Sequence, residues 1–137
     1  MRLRAFKKIF CILLISSLST SVSAQTSPAQ KETVYKDWQM LSDSKNVVEI
    51  FYCVVKCNGE NKIYLKIFND GIADQDINVA LEIMNNADSK SFTISKKIAA
   101  KKRVFHIATC DSDTLSELKI TLPDGYDASG ISVKQTL

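Results

Sequence analysis

The chain has 137 residues, with 18 Lys+Arg against 15 Asp+Glu and 45% hydrophobic residues. That length suits one domain able to bury a modest core. The formal charge of +3 is too small to mark a nucleic-acid binder, and four of the cations stand in the first eight residues.

Those four, Arg2, Arg4, Lys7 and Lys8, precede the apolar run Ile9-Phe10-Cys11-Ile12-Leu13-Leu14-Ile15, and small residues follow up to Val22-Ser23-Ala24. Basic start, short apolar middle and small-residue exit together predict a secretory signal peptide over 1–24, cleaved after Ala24. The apolar run is too short to cross a bilayer core of about 30 Å as a helix. Cys11 lacks the small residues before it that a lipid anchor needs. Cleavage takes Lys+Arg from 18 to 14 against 15 Asp+Glu, and the net charge from +3 to −1. The expected product is exported to the periplasm or the cell exterior, has no transmembrane segment after cleavage, and does not bind nucleic acid.

Residues 25–32 are polar, contain Pro28 and read as a flexible lead-in to a single domain over 33–137. From Thr33 to Leu41 a helical stripe (Val34, Trp38, Leu41) competes with a strand face (Val34, Trp38, Met40), and a first strand is preferred. Val47 to Cys57 carries β-branched and aromatic residues on both faces, the pattern of a strand in the middle of a sandwich. Asn58-Gly59 is a hairpin turn signal. Ile63, Leu65 and Ile67 then alternate with Tyr64, Lys66 and Phe68, giving one buried face, up to a turn at Asn69-Asp70-Gly71.

Ile77, Val79, Leu81 and Ile83 repeat the period of two, with a turn at Asn85-Asn86-Ala87-Asp88. Further strands are predicted near Ser91 (Phe92, Ile94, Ile98), from Arg103 to Thr109 (Phe105 and Ile107 against Val104 and His106), and at Leu118, Ile120 and Leu122. Pro123-Asp124-Gly125 stops the last of these, and Ile131 and Val133 mark a short final strand. Seven to eight short strands with turn residues between them and no amphipathic helix predict an all-β fold, an antiparallel β-sandwich.

Cys53, Cys57 and Cys110 remain after cleavage, in a compartment that permits disulfides. Four residues apart in a strand, Cys53 and Cys57 stand about 13 Å from each other, twice the reach of a bridge. If strand direction alternates from Val47 onward, the strands ending at Cys57 and Cys110 finish at the same pole, so the predicted disulfide is Cys57–Cys110. Cys53 is then a small buried hydrophobe or, alternatively, a reactive thiol or the site of an intermolecular bridge.

Val48-x-Ile50-x-Tyr52, the hairpin at Asn58-Gly59 and Ile63-x-Leu65-Lys66-Ile67-x-Asn69 resemble strands B and C of small immunoglobulin-like or fibronectin type III-like modules of bacterial secreted proteins. The likeness spans roughly Val47 to Leu137 and implies an immunoglobulin-like sandwich. It departs from antibody domains, since no Trp lies in the strand after Cys57. Such folds carry many functions, so the resemblance implies architecture rather than activity.

No residue pattern points to catalysis. His106 alternates with apolar neighbours in a strand, and no serine or cysteine stands beside it in a triad-like pattern. Gly59, Gly71, Gly125 and Gly130 read as turn residues, not a phosphate loop. Cys53-x-x-x-Cys57 with a single histidine falls short of a structural zinc set. Asp70, Asp74 and Asp76, Asp111 and Asp113, and Asp124 and Asp127 sit in turns; they are either calcium ligands or ordinary turn formers.

Lys96, Lys97, Lys101, Lys102 and Arg103, around an Ala99-Ala100 connection, form either an anionic-partner patch or a solvated hairpin. Trp38 is either a core or edge-packing aromatic or a ligand platform. The expectation is an exported, non-enzymatic binding module for a protein or surface glycan, with no cofactor, metal or catalytic residue. Two alternatives stand beside it. One is an inhibitor of secreted hydrolases acting through the loops Cys57–Lys62, Asn69–Asp76 and Cys110–Leu115; the other is an assembly subunit that exchanges strands.

Overall fold

The structure, a computed structural model, describes residues 32–41, 47–112 and 115–136. The expected leader over 1–24 and the lead-in over 25–31 lie outside the described residues. Eight strands are present among the described residues: β1 (Glu32–Met40), β2 (Val48–Cys57), β3 (Glu60–Asn69), β4 (Gln75–Asn85), β5 (Lys90–Ala100), β6 (Phe105–Ile107), β7 (Lys119–Thr121) and β8 (Ile131–Thr136). Two single 3-10 turns, Ser116–Leu118 and Ala128–Gly130, precede β7 and β8. The protein is an antiparallel all-β sandwich.

Sheet A has the order β1-β2-β3-β6, with β7 also pairing with β3; sheet B has the order β5-β4-β8. Every pairing between these strands is antiparallel. Asn58 and Gly59, both at positive φ (52° and 89°), make the two-residue turn that lets β2 fold directly onto β3 over ten residue pairs. The immunoglobulin arrangement puts strands B and C in opposite sheets, whereas β2 and β3 are hairpin neighbours in one sheet. What the chain has in common with such modules is the architecture of two antiparallel sheets enclosing one core.

That core follows from the period-two pattern. Ile50, Tyr52 and Val54 of β2 and Ile63, Leu65 and Ile67 of β3 meet Val79, Leu81 and Ile83 of β4 and Ile131 and Val133 of β8, all buried. The Tyr52 hydroxyl reaches the Val133 backbone across the sandwich, and burial raises its pKa. Lys36 of β1, opposite Val54, donates from Nζ to the Ile131 carbonyl at 2.5 Å and so ties the edge of sheet A to sheet B.

The disulfide joins Cys57 and Cys110 with Cα atoms 5.7 Å apart, as the direction argument predicts. β6 runs antiparallel to β3, and β3 to β2, so β6 and β2 point the same way and end at one pole. Asn69 closes β3 at the opposite pole. It is fully buried, donates from Nδ2 to the Ala73 and Ala100 carbonyls at 2.9 and 2.8 Å, and accepts at Oδ1 from the Gly71 N–H at 2.9 Å. Gly71 is required there, because a Cβ would lie 2.7 Å from Val47 Cγ1 and 2.8 Å from Asn69 Oδ1.

Three expectations change. Ala99 and Ala100 are the last residues of β5, Ala100 fully buried, and not a connection between strands. The strand expected from Arg103 to Thr109 shrinks to Phe105–Ile107, because Lys101 to Val104 wrap around the end of β3. Arg103, at φ 58°, donates its N–H to the Asn69 carbonyl at 2.8 Å there. Leu118 belongs to a 3-10 turn, its buried side chain entering the core from outside the sheet.

Candidate functional site

A two-layer sandwich needs one apolar face per sheet, the inner one. Sheet B obeys this. Its outer rows read Thr136-Ala80-Ser95, Lys134-Glu82-Thr93 and Ser132-Met84-Ser91, with Met84 the single large apolar side chain.

Sheet A has a second apolar face. The register places Met40, Phe51, Lys66 and Ile107 in one row across β1, β2, β3 and β6 on the outside of the sheet; Phe68 and Phe105 form the next. Phe68 and Phe105 stack with ring centroids 4.3 Å apart. Met40 is 52% exposed, Phe105 56% and Ile107 41%. The Lys66 ammonium lies over two rings of this face, 4.3 Å from the Phe51 centroid and 5.0 Å from that of Trp38. Trp38 is therefore a half-buried edge aromatic facing outward, not part of the core between the sheets.

Beside that row the surface sinks into a pocket of about 210 Å³. β2 and β3 supply its floor with Cys53, Val55 and Tyr64; β1 contributes Glu32, Val34, Asp37 and Trp38, and the segment Ile107–Thr109 closes the other side. Cys53 and Tyr64 are opposite one another in the β2–β3 register, which puts both on this face. Tyr64 is 2% exposed and its hydroxyl is buried with no hydrogen-bond partner, an unusual state for a buried polar atom. Lys119 sits 5.8 Å from the Tyr64 ring and donates to the Ser112 carbonyl.

Burial pushes the Cys53 thiol up to about 12, with the Glu32 and Asp37 carboxylates adding to it. Burial, then Glu32, pushes Tyr64 up to about 12 as well. At neutral pH Cys53 is thus a protonated thiol and a poor nucleophile, which supports the small-hydrophobe reading. Both groups keep their protons in the fold, whereas the unfolded chain releases them near the ordinary values of 9.0 and 10.0. Their contribution to stability is therefore full below about pH 8 and is lost as pH rises from about 9 to about 12. Native protein at pH 8 is expected to leave Cys53 unmodified by iodoacetamide, with alkylation appearing only in urea; modification at equal rates in both states would refute the buried thiol.

The other candidate residues are drawn into local structure. Asp70 pairs with Arg103 at 2.5 Å, Asp76 with Lys97 at 3.6 Å, and Asp74 accepts from the Lys102 backbone N–H at 2.9 Å. The acidic turn after β3 and the basic stretch after β5 thus face and offset each other. Asp127 caps a 3-10 turn by accepting from Ser129, and Asp113 lies outside the described residues. Among the described residues no three His, Cys, Asp or Glu side chains converge as a metal would need.

His106 faces the same side as Ile67, and its Nε2 accepts from the Lys101 N–H at 3.1 Å, fastening the bend before β6. The loop at Asn58 and the segment after Cys110 share one pole, while Asn69–Asp76 lies at the other. The three loops of the inhibitor alternative do not form one surface.

Glu32, Asp37, Cys53 and Tyr64 were not singled out as a group by the sequence pattern. The signal for them was the second apolar face of β2 (Phe51, Cys53, Val55) beside the outward aromatics Tyr64 and Phe68 of β3, in adjacent strands that need only one such face.

Fold and site together define a disulfide-bonded antiparallel sandwich with an aromatic outer sheet face and an acidic-rimmed pocket. Comparison with protein families, curated proteins and solved structures returns no match for this chain. No helix among the described residues is long and apolar enough to cross a membrane.

Proposed function

We propose that this protein is an exported, non-enzymatic binding module that docks a protein partner on the outer face of sheet A. The observation that carries the reading is the asymmetry between the two sheets: sheet B is polar outside, while sheet A exposes Met40, Phe105 and Ile107 beside a pocket. A protein partner fits better than a glycan. The row is aliphatic as well as aromatic, and its large side chains offer few of the hydrogen-bonding groups that a sugar's hydroxyls require.

Export is supported by the leader pattern of residues 1–24 and by the Cys57–Cys110 bridge, which suits an oxidising compartment. Strand exchange has less support at the β1 edge, where register shifts between Val34 and Lys36 and between Lys36 and Gln39 irregularise the ladder a partner strand would extend.

The test is photo-cross-linking in the native compartment, with p-benzoylphenylalanine in place of Met40, Phe105 or, as a control on sheet B, Thr93. Met40 and Phe105 are expected to give an adduct of one discrete mass that Thr93 does not, and Phe105→Glu is expected to abolish the Met40 adduct without unfolding the protein. Equal labelling from both sheets, or none from sheet A, would defeat the proposal.

A further inference from the structure

We propose that the pocket beside the Met40-Phe51-Lys66-Ile107 row receives the cationic head of a lysine or arginine side chain from the docked protein partner. This rests on the docking reading, and it names what the partner must present. At about 210 Å³ the pocket is below the roughly 300 Å³ at which small-molecule sites begin, and it suits one long side chain.

Its lining carries two acids, Glu32 and Asp37, and no Lys or Arg. Among the described residues neither acid makes an ion pair, although Lys62, Lys90, Lys97 and Arg103 elsewhere in the fold each find one. The nearby cations are engaged: Lys66 lies over the Trp38 and Phe51 rings, and Lys119 donates to Ser112. Carboxylates without an ion pair at the mouth of an apolar cleft attract a cation and reject an anion.

A second, independent observation comes from the floor. Tyr64 lines the pocket, and its hydroxyl is buried without a hydrogen-bond partner. An ammonium or guanidinium group brings donors and no acceptor, so its N–H can be accepted by the Tyr64 oxygen. Val34, Val55 and Ile107 then lie beside the aliphatic stem. An acidic or neutral side chain would leave the rim carboxylates unmatched.

The experiment is a chemical-shift titration of the purified protein with Nα-acetyl-lysine methylamide, against Nα-acetyl-norleucine methylamide, which has the stem without the charge. The lysine probe is expected to shift the Trp38 indole N–H and the Cys53 and Tyr64 amides, and the norleucine probe to bind about tenfold more weakly. The paired substitution Glu32→Gln and Asp37→Asn should erase the difference. On the unaltered protein, salt at about 0.5 M should weaken the lysine probe and leave the norleucine probe unchanged.

Equal binding of both probes, shifts confined to other faces, or a lysine response indifferent to salt would overturn the assignment. The two readings fail separately. If cross-linking at Met40 and Phe105 holds while the lysine preference is absent, the docking face stands and its cationic anchor falls. If cross-linking fails, the docking face falls.

Discussion

Replacing the bridge by Cys57→Ala with Cys110→Ala is expected to lower the unfolding free energy by about 4 kcal/mol, since the loop it closes spans 53 residues. A domain of this size has roughly 5–15 kcal/mol in total, so the substituted chain should be marginal or unfolded at 37 °C. The effect comes mainly from the denatured chain, which regains the freedom the bridge removed. Urea unfolding of the double variant, and of the unaltered protein after reduction, should therefore agree. A loss below about 1 kcal/mol in both would mean that packing alone brings the two segments together in the unfolded ensemble. The bridge also anchors the segment just after Thr109, so its loss should broaden the resonances of Ile107 and Thr109 on the pocket wall before the core melts.

Asn69→Ala carries the second large effect, about 3 kcal/mol of destabilisation. Its three side-chain hydrogen bonds link the end of β3, the following turn at Gly71 and Ala73, and the end of β5 at Ala100, with no solvent to replace them. Truncation leaves those backbone groups without their side-chain partner and opens a void. Asn69→Asp should be at least as damaging, because a carboxylate has no donor for the Ala73 and Ala100 carbonyls and would bury a charge between them.

The consequence reaches the docking face. Arg103 donates to the Asn69 backbone carbonyl, and β6 begins two residues later with Phe105. Urea midpoints, together with hydrogen exchange of the Phe105–Ile107 amides, would measure both. An Asn69→Ala variant within about 1 kcal/mol of the unaltered protein would show that water takes over the polar contacts.

The strands were legible where one face is buried. Ile63, Leu65 and Ile67, and Val79, Leu81 and Ile83, announce themselves because side chains alternate across a strand with period two. Asn58-Gly59 is legible because few residues tolerate positive φ twice in succession. The disulfide was legible from strand direction alone. Less legible were the ends: the Arg103–Thr109 segment has strand-like residues, yet the bend held by Asn69 and His106 leaves only three of them paired.

The candidate site was present in the pattern but not assembled by it. Cys53 reads as a small buried hydrophobe, Tyr64 falls on the face of its strand opposite the buried one, Glu32 falls in the polar lead-in, and Asp37 carries no signal of its own. Their meeting depends on β1 pairing with β2 through two irregularities and on β6 taking its place beside β3.

Residue pattern by itself was enough for the all-β class, most strand positions, the tight turn at Asn58-Gly59 and the Cys57–Cys110 pairing. The first three follow from alternation and local backbone preference, which act over a few residues, and the pairing from the alternation of strand direction. Tertiary structure alone decided that β6 and β7 both pair with β3, that this sheet is apolar on its outer side as well, and that Tyr64, its hydroxyl unpartnered, lines a pocket with Glu32 and Asp37. Pairing and register are chosen between segments far apart in the chain, by which arrangement buries the most apolar surface with its backbone satisfied.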